Sequence, residues 1–180
     1  MCEYDTIKKY ILPNDNEDFK SSKAVDAHLG HNSWAQSALD SVMMVFGETN
    51  YLKRIFEYAD ILSAEGYKAI FEEARRQKPY CSMALNWCFN EPWINFCNCN
   101  LLTYPAVKKR NFYAVKESNK EVTLSARFSK FSWKALSTVR LEIWLLNDTY
   151  EIISDIADIY YEADGKKVHL YAWSTQICEP

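Results

Sequence analysis

Within one chain of 180 residues the apolar residues change their period from that of a helix to that of a strand, and this change bounds the fold more tightly than any other feature. Between Leu52 and Ala74 the apolar positions follow helical spacing, with Leu52, Ile55, Phe56, Ala59 and Leu62, then Ala69, Ile70 and Ala74. Such a stripe predicts one long helix with a single buried face. Thr49 is placed to cap its start, Gly66 is placed to kink it, and Pro79 disfavours helical geometry at Lys78, so the helix should end near Gln77. From Glu121 onward the period is two: Val122, Leu124, Ala126 and Phe128, then Val139, Leu141, Ile143 and Leu145. Asn147-Asp148-Thr149 reads as a turn. A further strand from Ile156 to Glu162 meets Val168–Trp173 through Asp164-Gly165, a strong hairpin signal. Short strands separated by turns point to an antiparallel β-sandwich, expected here to be incomplete because only four or five strands can be counted.

Directly after the long helix the stretch Tyr80-Cys81-Ser82-Met83-Ala84-Leu85-Asn86-Trp87-Cys88-Phe89 loses the helical period and is mostly apolar. A helix followed by such a run is the pattern of an α/β unit with a buried parallel strand. Asn90-Glu91-Pro92-Trp93 ends it, and in parallel barrels the residues just past a strand's C-terminal end line the active site. Pro105 could open a further helix that fades at Ser118-Asn119. The chain is therefore expected to divide into residues 1–119, the α/β part, and 120–180, the sandwich. Residues 1–48 read as irregular, with isolated Ile7, Ile11 and Leu12 and a turn-rich Pro13–Asp18.

Composition narrows the class of function. Twenty-four acidic against 21 basic residues give a formal charge of −3, which offers no excess positive charge for a phosphate backbone, so nucleic acid is a poor partner. No apolar run approaches the ~20 residues that cross a bilayer, and Met1–Asp5 lacks the marks of a secretory signal, so the expected location is cytoplasmic. Six cysteines lie among apolar neighbours and are expected as reduced, mostly buried thiols. Cys97-Asn98-Cys99 has no CxxC pair or histidine partner, and neither a metal nor another cofactor is expected. His28 and His31, separated by three positions with Gly30 between, read as loop histidines bonded to backbone; the sequence gives them no further role. Aromatics reach 15%, a content that suits sugar-binding clefts, interfaces and cores alike.

The segment Cys81–Trp93 resembles the last barrel strand of glycoside hydrolase family 2, where an apolar strand ends in Trp and leads to Asn, an acidic residue and Trp-Pro. Lys108–Lys116 is similar to the family's Lys-Pro-aromatic-Tyr-Ala-basic helix. Ser125-Ala126-Arg127-Phe128 and Trp144-Leu145-Leu146-Asn147-Asp148 are similar to strands of its C-terminal immunoglobulin-like domain. The departures are Ile94 and Arg110, each where proline is usual, and Ala135-Leu136-Ser137 in place of a glycine-containing turn. The resemblance implies the end of a (β/α)8 TIM barrel followed by the sandwich, and a retaining enzyme of β-mannosidase, β-galactosidase or β-glucuronidase type. Such enzymes hold two catalytic glutamates about 5 Å apart. Neither glutamate motif occurs here, so no catalytic residue is expected in this chain, which would contribute part of a carbohydrate cleft and be inactive alone.

The resemblance makes Trp87 the aromatic platform under the sugar; without it, Trp87 reads as a core residue at a strand end. Asn90 and Glu91 suit either hydrogen bonds to sugar hydroxyls or capping of the next turn, and Trp93 is a candidate for the cleft wall. Trp133, Trp144 and Trp173 are expected to pack. A reading from a different class is a stand-alone carbohydrate-binding or protein-interaction β-sandwich. Either way, the edge of Val168–Trp173 beside Tyr171 and Trp173 is expected to favour self-association.

Overall fold

The computed structural model describes residues 4–11, 27–28, 32–49, 51–95 and 99–175, of which 32–36 are described as helical backbone alone. Helices come first: α1 (Tyr4–Tyr10), α2 (Asn32–Phe46) and α3 (Leu52–Arg76). A two-residue ribbon, β1 (Leu102–Thr103) against β2 (Val107–Lys108), precedes α4 (Arg110–Ser118). Two antiparallel hairpins complete the order, β3 (Val122–Phe128) with β4 (Leu141–Asn147), and β5 (Ile156–Ala163) with β6 (Lys166–Ser174).

Helix α3 forms where the stripe predicts and runs unbroken through Gly66 to Arg76. Its start departs from expectation. Tyr51 holds the cap position without a side-chain cap bond, and Thr49 Oγ1 instead accepts from the Tyr51 amide at 3.3 Å. The stripe is buried at its N-terminal end only. Phe56 and Ala59 pack with Ile7, Ile11 and Val42, and Leu52 and Leu62 flank them; Ile55 is also buried, while Ile70 stays exposed. At about 1.5–3 kcal/mol for each fully buried large side chain, this small cluster is the main apolar anchor of the helical part. Part of it comes from a region expected to be irregular. Ile7 and Ile11 are an i, i+4 pair, and Ala35, Ala38, Leu39, Val42 and Phe46 follow helical spacing, so helical signals were present in this region.

Two further expectations need correction. Pro105 lies in the turn between β1 and β2, and the helix begins at Arg110. Residues 82–88 belong to no sheet among the described residues; Asn90 forms a single parallel bridge with Leu102, supported by the Leu101 and Leu102 amides donating to the Phe89 carbonyl at 3.0 Å. The expected buried parallel strand is thus an extended, largely exposed segment, with no strand paired to it among the described residues. The strands after Glu121 form two separate two-stranded antiparallel sheets.

Polar contacts join the helices to the first hairpin. Ser125, buried on β3, donates to Glu72 Oε2, and Ser118 Oγ donates to Glu72 Oε1 at 3.3 Å. Arg76 donates to Ser125 Oγ and lies 3.7 Å from Glu72. Arg75 donates to the carbonyls of Ser118 at 2.5 Å and Glu121 at 3.1 Å. The C-terminal turn of α3 therefore clamps both the end of α4 and the start of β3.

Candidate functional site

The extended segment after α3 is held on one side by Tyr67. Its hydroxyl donates to Asn86 Oδ1 at 2.7 Å and lies against the Cys99 carbonyl. Burial, with the neighbouring Cys99 second, pushes the phenol up to about 12. Cys99 Sγ in turn donates to the Trp87 carbonyl at 3.1 Å, and Asn86 Nδ2 to the Cys88 carbonyl at 2.9 Å. Cys88 takes a left-handed backbone, φ 63°, which turns the chain just beyond Trp87. These contacts fix the main chain at Trp87 and leave its indole 76% exposed.

Asn90 is exposed beside its bridge to Leu102 and Trp93 is 60% exposed. Glu91 differs from both: it is 3% exposed, and both carboxylate oxygens are engaged within the fold. Lys109 Nζ donates to Oε1 at 3.1 Å and Thr103 Oγ1 to Oε2 at 2.6 Å. Lys109 also donates to buried Asn100 Oδ1. The cluster ties the loop carrying Trp87 and Trp93 to β1 and to the residue before α4. A buried charge needs such partners, since desolvation costs several kcal/mol for each ion. Sequence reading named Glu91 but not Lys109, Thr103, Asn100 or Tyr67. Lys109 stands in a run of basic residues, where a buried lysine looks the same as a solvated one.

The structure therefore brings Trp87, Asn90 and Trp93 to one exposed stretch, with Glu91 beneath it. A groove of about 640 Å³ lies elsewhere, between α3, Cys81–Ala84 and β3, and none of these four residues lines it. His28 Nδ1 donates to the Ile94 carbonyl at 2.7 Å, so it is bonded to backbone as expected, but it stands on helical backbone rather than in a loop; His31 lies outside the described residues. Among the described residues Cys81 and Cys99 are half-buried and Cys88 is exposed, so these three thiols are less buried than expected. Cys2, Cys97 and Cys178 lie outside the described residues. Among the described residues no group of three or more His, Cys, Asp or Glu is placed to hold a metal, and no helix is long and apolar enough to cross a membrane.

No family model matches the sequence, and no curated protein matches it. Solved structures do. The fold is similar to that of a β-D-mannosidase from Dictyoglomus thermophilum, with TM-score 0.72 and 18% identity, over 97% of this chain and 22% of that one. It is also similar to an exo-β-D-glucosaminidase, studied with a glucosamine-configured castanospermine inhibitor, with TM-score 0.66 and 16% identity, over 89% of this chain and 18% of that one. The chain thus spans about a fifth of the length of the solved proteins it matches. In fold it corresponds to a part of those two solved proteins.

Proposed function

We propose that this chain is the C-terminal part of a retaining glycoside hydrolase that cleaves β-linked glycosides, of β-mannosidase type. In this reading Trp87 is the platform on which the apolar face of a sugar ring rests. Asn90 and Trp93 flank it, and Glu91, through its pair with Lys109, holds the loop that presents them. The observation that carries the proposal is the fold likeness over 97% of the chain to one-fifth of a β-D-mannosidase, reached independently of the motif Trp87…Asn90-Glu91-Pro92-Trp93. Residues 1–119 then belong to the barrel part and 120–180 to the sandwich part.

The chemistry of retaining hydrolysis requires a nucleophilic carboxylate and an acid/base carboxylate on either side of the glycosidic bond. Glu91 is committed to Lys109 and Thr103, and both catalytic groups are assigned to polypeptide outside this chain. The purified chain should therefore hydrolyse no aryl β-mannoside, β-galactoside or β-glucuronide above background. Turnover that survives repurification and disappears in Glu91→Gln would overturn the assignment. Coding DNA upstream of Met1 should carry, in frame, a Ser-Glu-Phe-Gly-like stretch for the nucleophile; a promoter and ribosome site there instead would favour a stand-alone module.

A further inference from the structure

Cys88 carries a β-carbon yet stands in the left-handed region, at φ 63°, one residue beyond Trp87. That conformation is unfavourable for such a residue and persists only where the surroundings hold it. Two side chains hold it here. Asn86 Nδ2 donates to the Cys88 carbonyl at 2.9 Å and Cys99 Sγ donates to the Trp87 carbonyl at 3.1 Å, so the peptide groups on both sides of the turn are tied. Both of these residues meet one group. The Tyr67 hydroxyl, half-buried on α3, donates to Asn86 Oδ1 at 2.7 Å and lies against the Cys99 carbonyl. The chemistry of Asn86 fixes the direction of this chain of bonds: its amide nitrogen is committed to Cys88, so its oxygen needs a donor, and Tyr67 supplies one. Burial pushes the phenol up to about 12, so the hydroxyl keeps its hydrogen at neutral pH.

We infer that Tyr67 is the positioning residue of the Trp87 platform: acting through Asn86 and Cys99, its hydroxyl keeps the turn at Cys88 and so fixes the direction from which the main chain presents the indole. The consequence for sugar binding rests on the glycosidase reading, whereas the clamp on the turn does not. Trp87 is 76% exposed, so packing does not place its ring and the path of the main chain does. An aromatic face serves a sugar only when it is held where the ring arrives, and a small misplacement costs much of the benefit. The role differs from that of Glu91, whose bonds to Lys109 and Thr103 hold the loop after Asn90. Tyr67 acts on the turn before that loop, from a helix that contributes nothing to the exposed stretch itself. Without the hydroxyl, Asn86 Oδ1 loses its donor and Asn86 is free to turn away from Cys88.

Tyr67→Phe in the full chain keeps the ring and removes only the hydroxyl. Alkylation by iodoacetamide, followed cysteine by cysteine in a mass spectrometer, should then show Cys99 reacting about fivefold faster, the weight of one lost hydrogen bond. Cys81, at the far end of the extended segment, should react at its former rate. Titration with methyl β-D-mannoside, read by the emission that Trp87→Phe abolishes, should show affinity weakened about fivefold in Tyr67→Phe and in Asn86→Ala. The double variant should lose no more than either single one, because both act through the same bond. An unchanged Cys99 rate in Tyr67→Phe would overturn the inference. So would an equal rise at Cys81, which marks a general loosening, or an unchanged sugar affinity. If Cys99 reacts faster as expected but the unaltered chain gives no Trp87 response to the sugar, the clamp stands and the glycosidase reading fails.

Discussion

Leu136 sits fully exposed in the connection between β3 and β4 with φ 64°, in the left-handed region that costs a β-carbon-bearing residue about 1–2 kcal/mol. It occupies the turn, Ala135-Leu136-Ser137, where the resembled family has glycine. Leu136→Gly should raise stability by about 0.5–1 kcal/mol, the strain relieved less the extra freedom glycine gains in the unfolded chain; chemical denaturation of the two proteins would measure it. The opposite sign is expected at Glu91. Glu91→Ala strands Lys109 in the interior, a defect worth roughly 3–5 kcal/mol. Lys78→Ala removes an exposed partner of Asp148 and should cost under about 1 kcal/mol. Equal losses in the two variants would show that the interior pair is not desolvated as described.

At the level of elements, the junction of α3 with β3 and β4 is held by charge. Burial pushes the Asp148 carboxyl up, but Lys78 at 2.7 Å and Arg75 at 3.2 Å together outweigh it and hold the group below its ordinary value. Hydrogen bonds from Gln77 and Arg76, with the charges of Arg76 and Arg127, lower Glu73 as well, against a small opposing effect of burial. Both carboxylates are depressed in the folded state, so their stabilisation is complete above the unfolded value near pH 4 and is lost as pH falls through the folded values. Thermal unfolding followed from pH 6 down to pH 2.5 should show the melting temperature dropping below pH 4. Asp148→Asn should flatten that drop, and an identical pH profile in the variant would remove Asp148 from the account. The elements themselves were largely legible. The alternation from Val122 to Phe128 becomes β3, and Asp164-Gly165, with φ of 50° and 72°, makes the β5–β6 turn that the pair predicts. The second strand is displaced from Val139–Leu145 to Leu141–Asn147, since alternation marks a strand's phase better than its ends. Helix α1 was missed because Ile7 and Ile11 form a single pair, and α2 was missed although Ala35, Ala38, Leu39, Val42 and Phe46 follow helical spacing.

For the molecule as a whole, the balance of surface is the governing fact. Among the described residues, eleven apolar side chains are buried and twenty-nine large hydrophobic ones are exposed, an excess that a self-sufficient domain does not leave uncovered. The chain should therefore unfold at low temperature and with little cooperativity when kept monomeric. A sharp calorimetric transition of the chain at low concentration, with equal calorimetric and van 't Hoff enthalpies, would contradict that expectation. Of the aromatics expected to pack, Trp133 and Trp173 are half-buried but Trp144 is exposed, its indole N–H reaching Glu142 at 3.3 Å. The sequence by itself determined the local order of this protein: the long helix from Leu52, the change of period after Ser118, the hairpin at Asp164-Gly165 and the motif at Trp87. Each of these depends on residues near one another in the chain, through backbone hydrogen bonds, turn chemistry and side-chain spacing. Only the tertiary structure decided that Glu91 is sealed under the loop by Lys109 and Thr103, that Arg75 and Arg76 clamp the hairpin to the helices, and that the run from Ser82 to Cys88 stays bare. Those outcomes depend on which distant groups arrive beside a residue, and an apolar run reads the same whether or not the strands that would bury it are present.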